Sequence, residues 1–312
     1  MTAEDGASER GRDAGTTVPP PAVLLPDSSL LFDRRAKRLA AWVDGHPMAG
    51  YLEFLSRLAE GQQRAAAAFH SPIRPGEAEW HRHQEHAMPL LPRDTRALDE
   101  GWRNVLADLL TIRSAADLPA PTRQAIDELA AQSAADLDAR AFRFLHGQVH
   151  PDKLAATLFV AAALQVVWSL SAAALDPARF QATLPFGVCP VCGSAPVAAT
   201  ILAADPLEGV RYLYCGLCAT LWYYPRAQCA LCESDKAIAY LALDRNDRLL
   251  NDHVKGETCG ECRSYLKIMD EAKSPGTEPF ADDLATIGLD LRLAEAGWHR
   301  AAANPFLMAS PG

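Results

Sequence analysis

All eight cysteines of this 312-residue chain fall into four Cys-x-x-Cys pairs: Cys189/Cys192, Cys215/Cys218, Cys229/Cys232 and Cys259/Cys262. The pairs are separated by 22, ten and 26 residues. A Cys-x-x-Cys turn sets two sulfurs on one side of a tight loop, so that one ion can take both. Two such turns complete a tetrahedral four-sulfur site. In "CPVCG" the proline stiffens the turn, and Gly193 permits a positive φ just past the second sulfur. Backbone N–H groups in such a turn point at the thiolates and lower their charge. The spacing predicts two metal ions in four-cysteine sites, with all eight cysteines as ligands. Sequential pairing is favoured because each half then closes locally over a loop long enough for a hairpin. Interleaved pairing, first with third and second with fourth, is the open alternative. A tetrahedral sulfur set suits zinc or a single iron. It leaves no coordination position for substrate, which argues for shape rather than Lewis-acid catalysis.

Two other uses of paired thiols fit less well. The first residues, "MTAEDGASERGRDAGTTVPPP", carry charges and prolines but no apolar stretch of the kind an export leader needs. The Arg34-Arg35 pair is followed by "AKRLAAWVDGHP", an amphipathic helix pattern. The expectation is a cytoplasmic protein, in which thiols stay reduced and a disulfide framework is disfavoured. A thiol–disulfide catalyst needs one activated pair in a βαβ setting, not four pairs in a strand-rich segment. Nucleic-acid binding, another use of metal ribbons, meets an electrostatic obstacle. The whole chain carries a formal charge of −9, and between 184 and 270 there are eight Lys/Arg against ten Asp/Glu. Each divalent ion with four thiolates makes that balance more negative, so no nucleic-acid partner is expected, although a local basic patch is not excluded. Tyr212, Tyr214, Trp222, Tyr223 and Tyr224 could stack bases, but packing around the metal is the more economical role.

The cysteines belong to one part of the chain. Residues 1–26 read as a disordered tail, polar and broken by prolines. From 27 to 182 the pattern is helical: Leu98, Trp102, Val105, Leu106, Leu109 and Leu110 form one apolar face, and Leu52, Leu55 and Leu58 begin another. Segments 29–44, 122–145 and 152–175 complete a bundle of about five helices, with Pro121 near a helix start. After Phe186 short aromatic and β-branched runs such as "VRYLYC", "TLWYYP" and "IAYLALD" replace helical periodicity. The expected fold is α+β: an N-terminal all-α helical bundle, then two rubredoxin-like or zinc-ribbon modules. The first four-cysteine ribbon covers 183–226, and the second covers 227–308 and ends in a helix. The closing helix covers 279–298, with Asp282 and Asp283 in its first turn and Gly297 as its stop. "ATLWYYPRAQ" is read as the hinge between the two metal sites.

Three further features have plainer readings. "LAATLFVAAALQVVWSLSAAAL" (154–175) has no charge and is long enough to span a bilayer. It is rich in alanine, contains Thr157, Gln165, Ser169 and Ser171, and has no flanking aromatic or basic belt, so a buried helix is expected and no membrane span. His81, His83 and His86 in "WHRHQEH" match no zinc-helix motif and are read as a solvated cluster in a proline-bounded connection. His146 and His150 are read as capping or packing residues. No P-loop, dinucleotide glycine fingerprint or nucleophile elbow occurs, so no enzyme is expected.

The order "CPVCGSAPVAATI…GVRYLYCGLCATLWYYPRAQCALC", then "ETCGECRSYLKI", then "ADDLATIGLDLRLAEAGWHRAAANPFL" strongly resembles the formate dehydrogenase accessory protein FdhE family. "LLPDSSLLFDRRAKRLAAWVDGHPMAGYLEFLSRLAEGQQ" (24–63) is similar to the opening of the same family's helical domain. The likeness runs from about residue 24 to 307 and is weakest between 70 and 150, so the histidine cluster inherits no role. It implies a cytoplasmic, non-catalytic chaperone needed for maturation of active formate dehydrogenase, a molybdenum- or tungsten-dependent iron–sulfur enzyme. The implied partner is that enzyme's catalytic subunit. It further implies rubredoxin-like, iron-binding modules, with Cys189, Cys192, Cys215, Cys218, Cys229, Cys232, Cys259 and Cys262 as ligands. Iron is thus favoured by resemblance, with zinc the alternative. A rubredoxin-like electron carrier or a thiol redox factor is the competing reading.

Overall fold

The computed structural model describes residues 19–91, 93–94, 98–114, 118–150, 153–180, 187–242 and 253–307. Residues 1–18 of the expected tail, the expected domain boundary near 182 and five charges of the central balance (Asp244, Arg245, Asp247, Arg248, Asp252) lie outside the described residues. Among the described residues seven α-helices precede the cysteines: α1 (Leu31–Ala41), α2 (Ala49–Ala68), α3 (Glu77–His86), α4 (Gly101–Leu110), α5 (Ala120–Ala130), α6 (Ala134–Leu145) and α7 (Leu154–Ala173). The strands are β1 (Val23–Leu24), β2 (Pro196–Ile201), β3 (Arg211–Cys215), β4 (Leu221–Tyr223), β5 (Ile238–Leu241), β6 (Val254–Cys259), β7 (Ser264–Asp270) and β8 (His299–Arg300). Helices α8 (Pro279–Ala285) and α9 (Ile287–Glu295) lie between β7 and β8.

Helix α7 occupies the middle of the bundle. It is apolar on every side, and nearly all its side chains from Ala156 to Ala172 are buried, as an all-round hydrophobic helix in a core must be. It is the only helix among the described residues long and apolar enough to cross a membrane, and most of it is inside the core. Its polar groups are satisfied there. Ser171 donates to Val167 O and accepts from Ile73 N at 2.8 Å, and Gln165 joins a hydrogen-bond chain described below. Around α7 pack α2, α4, α5 and α6. Leu52, Leu55 and Leu58 of α2 and Trp102, Val105, Leu106 and Leu109 of α4 are buried as their spacing demands.

Three local expectations change. The segment 122–145 is not one helix but two, because Ser133 in extended conformation caps α6 by accepting from Asp136 N. The closing segment is also two helices, broken at Thr286, whose hydroxyl bonds back to Asp282 O at 2.7 Å. Gly297 ends the second with φ +79°. The described end of the expected disordered tail is ordered. Tyr212 donates its hydroxyl to Pro21 O at 2.9 Å, Tyr223 N donates to Ala22 O at 3.0 Å, and Val23–Leu24 pairs with β4. A short stretch next to an open sheet edge gains backbone hydrogen bonds that its own composition does not advertise.

The two cysteine modules share a single sheet with the order β1-β4-β3-β2-β7-β6-β5, and β8 pairs with β7. Each module is an antiparallel meander, β2-β3-β4 and β5-β6-β7. They are joined by parallel pairing of β2 with β7, Ala199 opposite Ile268. The expected hinge between them carries β4.

Helices α1 and α8 meet over this sheet through buried charges. Arg38 binds Asp282 at 2.6 Å, and Trp42 and His253 contact the same carboxylate at 3.0 and 3.2 Å. Behind them Lys267 and Arg300 surround Asp283 and Asp290, with Lys267 Nζ 2.5 Å from Asp290 and Arg300 2.5 Å from Asp283. Asp282 and Asp283 are completely buried. They are therefore ion-pair anchors rather than solvated helix-start acids. Burial pushes both carboxyls up. His253 and Arg38 outweigh it at Asp282, Arg300 and Lys267 outweigh it at Asp283, and both are held below the usual carboxylate range.

Groups with depressed folded pKa values stabilise the fold fully above their unfolded pKa near 4 and lose that contribution as pH falls toward the folded value. Asp283→Asn leaves Lys267 and Arg300 short of a buried counter-charge. It should lower stability by about 3 to 5 kcal/mol at neutral pH. It should also reduce the loss of stability between about pH 5 and pH 2, both read from urea titrations at each pH.

Candidate metal centre

All four turns use one backbone pattern. The N–H of Cys189, Cys215 and Cys229 donates to the carbonyl five residues on (Ser194, Thr220, Ser234) at 2.8 to 3.0 Å. Cys259 pairs with Ser264 as the last rung of the β6–β7 hairpin. The N–H of Gly193, Ala219, Glu233 and Arg263 returns to the first cysteine's carbonyl at 2.8 to 3.1 Å. Each of these four residues follows the second cysteine and has φ between +58° and +74°. Only one is glycine. The other three hold a left-handed conformation at a cost of about 1 kcal/mol each, which the hydrogen bonds of the closed turn help to offset. With these turns goes a longer motif, Cys-x-x-Cys-x-Ser/Thr, present four times as CPVCGS, CGLCAT, CALCES and CGECRS. The hydroxyl lies 3.3 Å (Ser194), 3.2 Å (Thr220) and 2.9 Å (Ser264) from the sulfur of Cys192, Cys218 and Cys262. The paired-cysteine reading missed it, although the sequence displays it.

The pairs group sequentially. Cys189, Cys192, Cys215 and Cys218 form one cluster, and Cys229, Cys232, Cys259 and Cys262 the other, with the sulfurs of each within 4.8 Å of one another. Across the first cluster Cys189–Cys218 and Cys192–Cys215 stand 3.5 and 3.4 Å apart. Across the second, Cys229–Cys262 and Cys232–Cys259 stand 3.7 and 3.6 Å apart. These separations are too long for a disulfide of about 2.05 Å. They approach the roughly 3.8 Å edge of a sulfur tetrahedron built on metal bonds of about 2.3 Å. Cys215 Sγ also accepts from Leu217 N and Cys218 N, and Cys229 Sγ from Leu231 N, all at 3.4 Å. Donor set, spacing and N–H dipoles fit a thiophilic ion in each cluster. Burial pushes the Cys189 and Cys218 thiols well up, while at Cys192 burial is outweighed by hydrogen bonds from the other three cysteines, which hold the thiol well down. Gathering four thiolates in that space would therefore call for a cation.

The two clusters differ in cover. The first is wholly buried, whereas in the second Cys232 is exposed and Cys262 half-buried. The helical part makes the difference. Leu91 N donates to Val191 O at 2.7 Å and Leu90 N to Pro190 O at 3.4 Å, while Trp168 of α7 donates to Leu91 O. Gln165 Nε2 donates to Gly216 O at 2.6 Å. Gly216 has to be small, because an added Cβ would sit 2.6 Å from Val197.

Known proteins are similar to this chain over nearly its whole length. Three family models cover the chain: FdhE N-terminal at residues 20–184, FdhE central domain at 188–226 and FdhE C-terminal domain at 227–307. A "Protein FdhE homolog" of Edwardsiella ictaluri is 36% identical over 300 residues, 94% of each chain. One of Rhizobium meliloti is 33% identical over 288 residues, 92% of this chain and 93% of its own.

The chain belongs to the FdhE family.

The crystal structure of the FdhE protein from Pseudomonas aeruginosa is 34% identical, superposes with a TM-score of 0.81, and matches 94% of this chain and 100% of its own. The α+β fold that carries the two four-cysteine clusters is thus shared with a solved FdhE structure.

The remaining candidates separate cleanly. His83 is buried, its Nδ1 2.8 Å from Met88 O and its ring against Trp80 and Phe180. His81 and His86 are exposed beside Glu85. All three are on α3, so the solvated-connection reading is corrected: helix α3 forms here and turns its middle histidine inward. His146 bonds Phe142 O and stacks on Phe142, a packing role. Tyr212, Tyr214, Trp222 and Tyr224 are buried and offer no face to a base.

Purified anaerobically, the protein should carry two metal equivalents per chain by plasma mass spectrometry, one for each cluster. A chelator should remove the ion at Cys232 and Cys262 at least about tenfold faster than the ion in the buried cluster, since exchange requires access to the sulfurs.

Proposed function

We propose that this protein is an accessory factor for the maturation of formate dehydrogenase. It binds that enzyme's catalytic subunit in the cytoplasm before assembly or export and performs no catalysis itself. The eight cysteines hold one ion in each cluster, with iron favoured by family likeness and zinc equally suited to the geometry. The observation that carries this reading is the clamp on the first cluster. A four-sulfur site with no position for substrate is locked beneath the helical part by Gln165, Leu90 and Leu91, so its ion shapes a surface rather than reacts. Membership of the FdhE family supports the choice of partner.

One observation favours an electron-transfer role instead: the exposed sulfur of Cys232 would give a single iron in the second cluster a route to solvent-side donors. Replacing iron by zinc separates the two readings, because a zinc-loaded protein that still supports maturation cannot be passing electrons.

Anaerobic co-purification of the formate dehydrogenase catalytic subunit tests the proposal. Wild type should retain the subunit, and Cys215→Ala/Cys218→Ala should lose most of it as the first cluster opens. A host lacking the gene should lose formate dehydrogenase activity, and unchanged activity there would sink the reading.

A further inference from the structure

One groove lies where the helical part, the first cysteine cluster and the C-terminal stretch meet. A hollow of ≈ 510 Å³ lies between the α6–α7 junction, the turns of the first cluster and the stretch after β8. Its walls include Leu145, Leu154, Val197, Leu217 and Pro305. At the α6–α7 end it adjoins a second hollow of ≈ 310 Å³, with Phe144, Val149 and Thr157 common to both. Arg140, Arg143, His150 and Lys153 ring this second part, and Arg93 stands on the rim of the first. Among the described residues no Asp or Glu lines either hollow. Arg140 and Lys153 reach out to Glu128. Arg93 and Arg143 are exposed and have no carboxylate partner among the described residues. Val149 and Phe142, 38% and 42% exposed, extend the apolar surface beside the arginines.

In a chain of net charge −9 two hollows whose described lining carries four Arg/Lys and no carboxylate are a local feature, with Arg93 and Arg143 left to select what can lie there. An apolar trough with a cationic lip complements a segment that alternates aliphatic and acidic side chains. It repels the basic start of an export signal. Phe144 is the only aromatic among its lining residues, and the exposed Phe142 beside them is already stacked on His146, so no series of aromatic faces is laid out for successive bases. Ser194, Gly216 and Leu217 in its wall belong to the turns of the first cluster. An ion held there thereby sets one side of the trough.

We propose that this groove is the docking site for an acidic, apolar segment of the partner protein. The assignment rests on the accessory reading above and names the surface and chemistry by which the catalytic subunit is held.

The test uses the full-length, metal-loaded protein and two labelled short peptides, one alternating leucine with glutamate and one alternating leucine with lysine. The purified catalytic subunit is measured alongside. The glutamate peptide should bind, more weakly as salt rises, and the lysine peptide should not. Arg93→Glu/Arg143→Glu should weaken both the glutamate peptide and the subunit by about tenfold or more, while Arg93→Lys/Arg143→Lys should retain binding. Both variants are surface changes, and an unchanged thermal melt confirms the fold. Equal binding of the lysine peptide or of a single-stranded oligonucleotide would overturn the assignment. So would an unaltered affinity in the charge-reversed variant. A subunit that binds wild type and the reversed variant equally removes only the groove. A subunit that binds neither, while the glutamate peptide does, removes the accessory reading and the occupant named here together.

Discussion

The helical bundle, the first cysteine cluster and the start of α8 meet in a hydrogen-bond chain through the side chain of Gln165. From the centre of α7 its amide donates to Gly216 O in the first cysteine cluster, and its oxygen accepts from Gln62 of α2 at 3.0 Å and Arg35 of α1 at 3.3 Å. Arg35 continues the chain to Tyr214 of β3 and to Glu278 at the start of α8. Bundle, first module and C-terminal helices therefore share one buried polar string, and none of its members can be left unpaired cheaply. Such a string adds little net stability but strongly fixes orientation. It explains how a cysteine turn and a helical bundle become one surface.

The asymmetry of the two clusters follows. The first module has the bundle on one side and β1 along its edge, so its sulfurs are sealed. Against the second module pack α9, on β6, and β8, beside β7, and its first turn, at Cys229 and Cys232, projects with Leu231 exposed. The same ligand set thus offers one site closed to solvent and one that meets it.

How much of this was legible in the sequence depends on range. Cys-x-x-Cys turns are local, and local closure also favoured the sequential grouping that the structure adopts. The α2 and α4 faces were legible because 3.6-residue periodicity reports burial directly, and α7 because an uncharged helix apolar on every side belongs in a core. The β2–β7 pairing was not, since a parallel contact between segments about seventy residues apart leaves no mark in either strand. Nor were the anchoring roles of Asp282 and Asp283: acids in a first helical turn look identical whether water or a buried arginine faces them. His83 was misread for a related reason. Three histidines in seven residues suggested a solvated cluster, and only the neighbouring Trp80 and Phe180 show which one turns inward. The repeated Ser/Thr after each pair is legible too, but the metal-ligand pattern is complete without it, and only the fold brings hydroxyls to the sulfurs.

The ion pairs between α1 and α8 also bear on synthesis. Arg35 and Arg38 emerge from the ribosome early, yet their acidic partners Glu278 and Asp282 come near the end of translation. Until then two cations destined for the interior have no counter-charge, and the bundle cannot adopt its final surface. The strand at Val23–Leu24 waits in the same way for β4. A prematurely terminated product consequently lacks the counter-charges of Arg35 and Arg38, and its helical half is left unsealed.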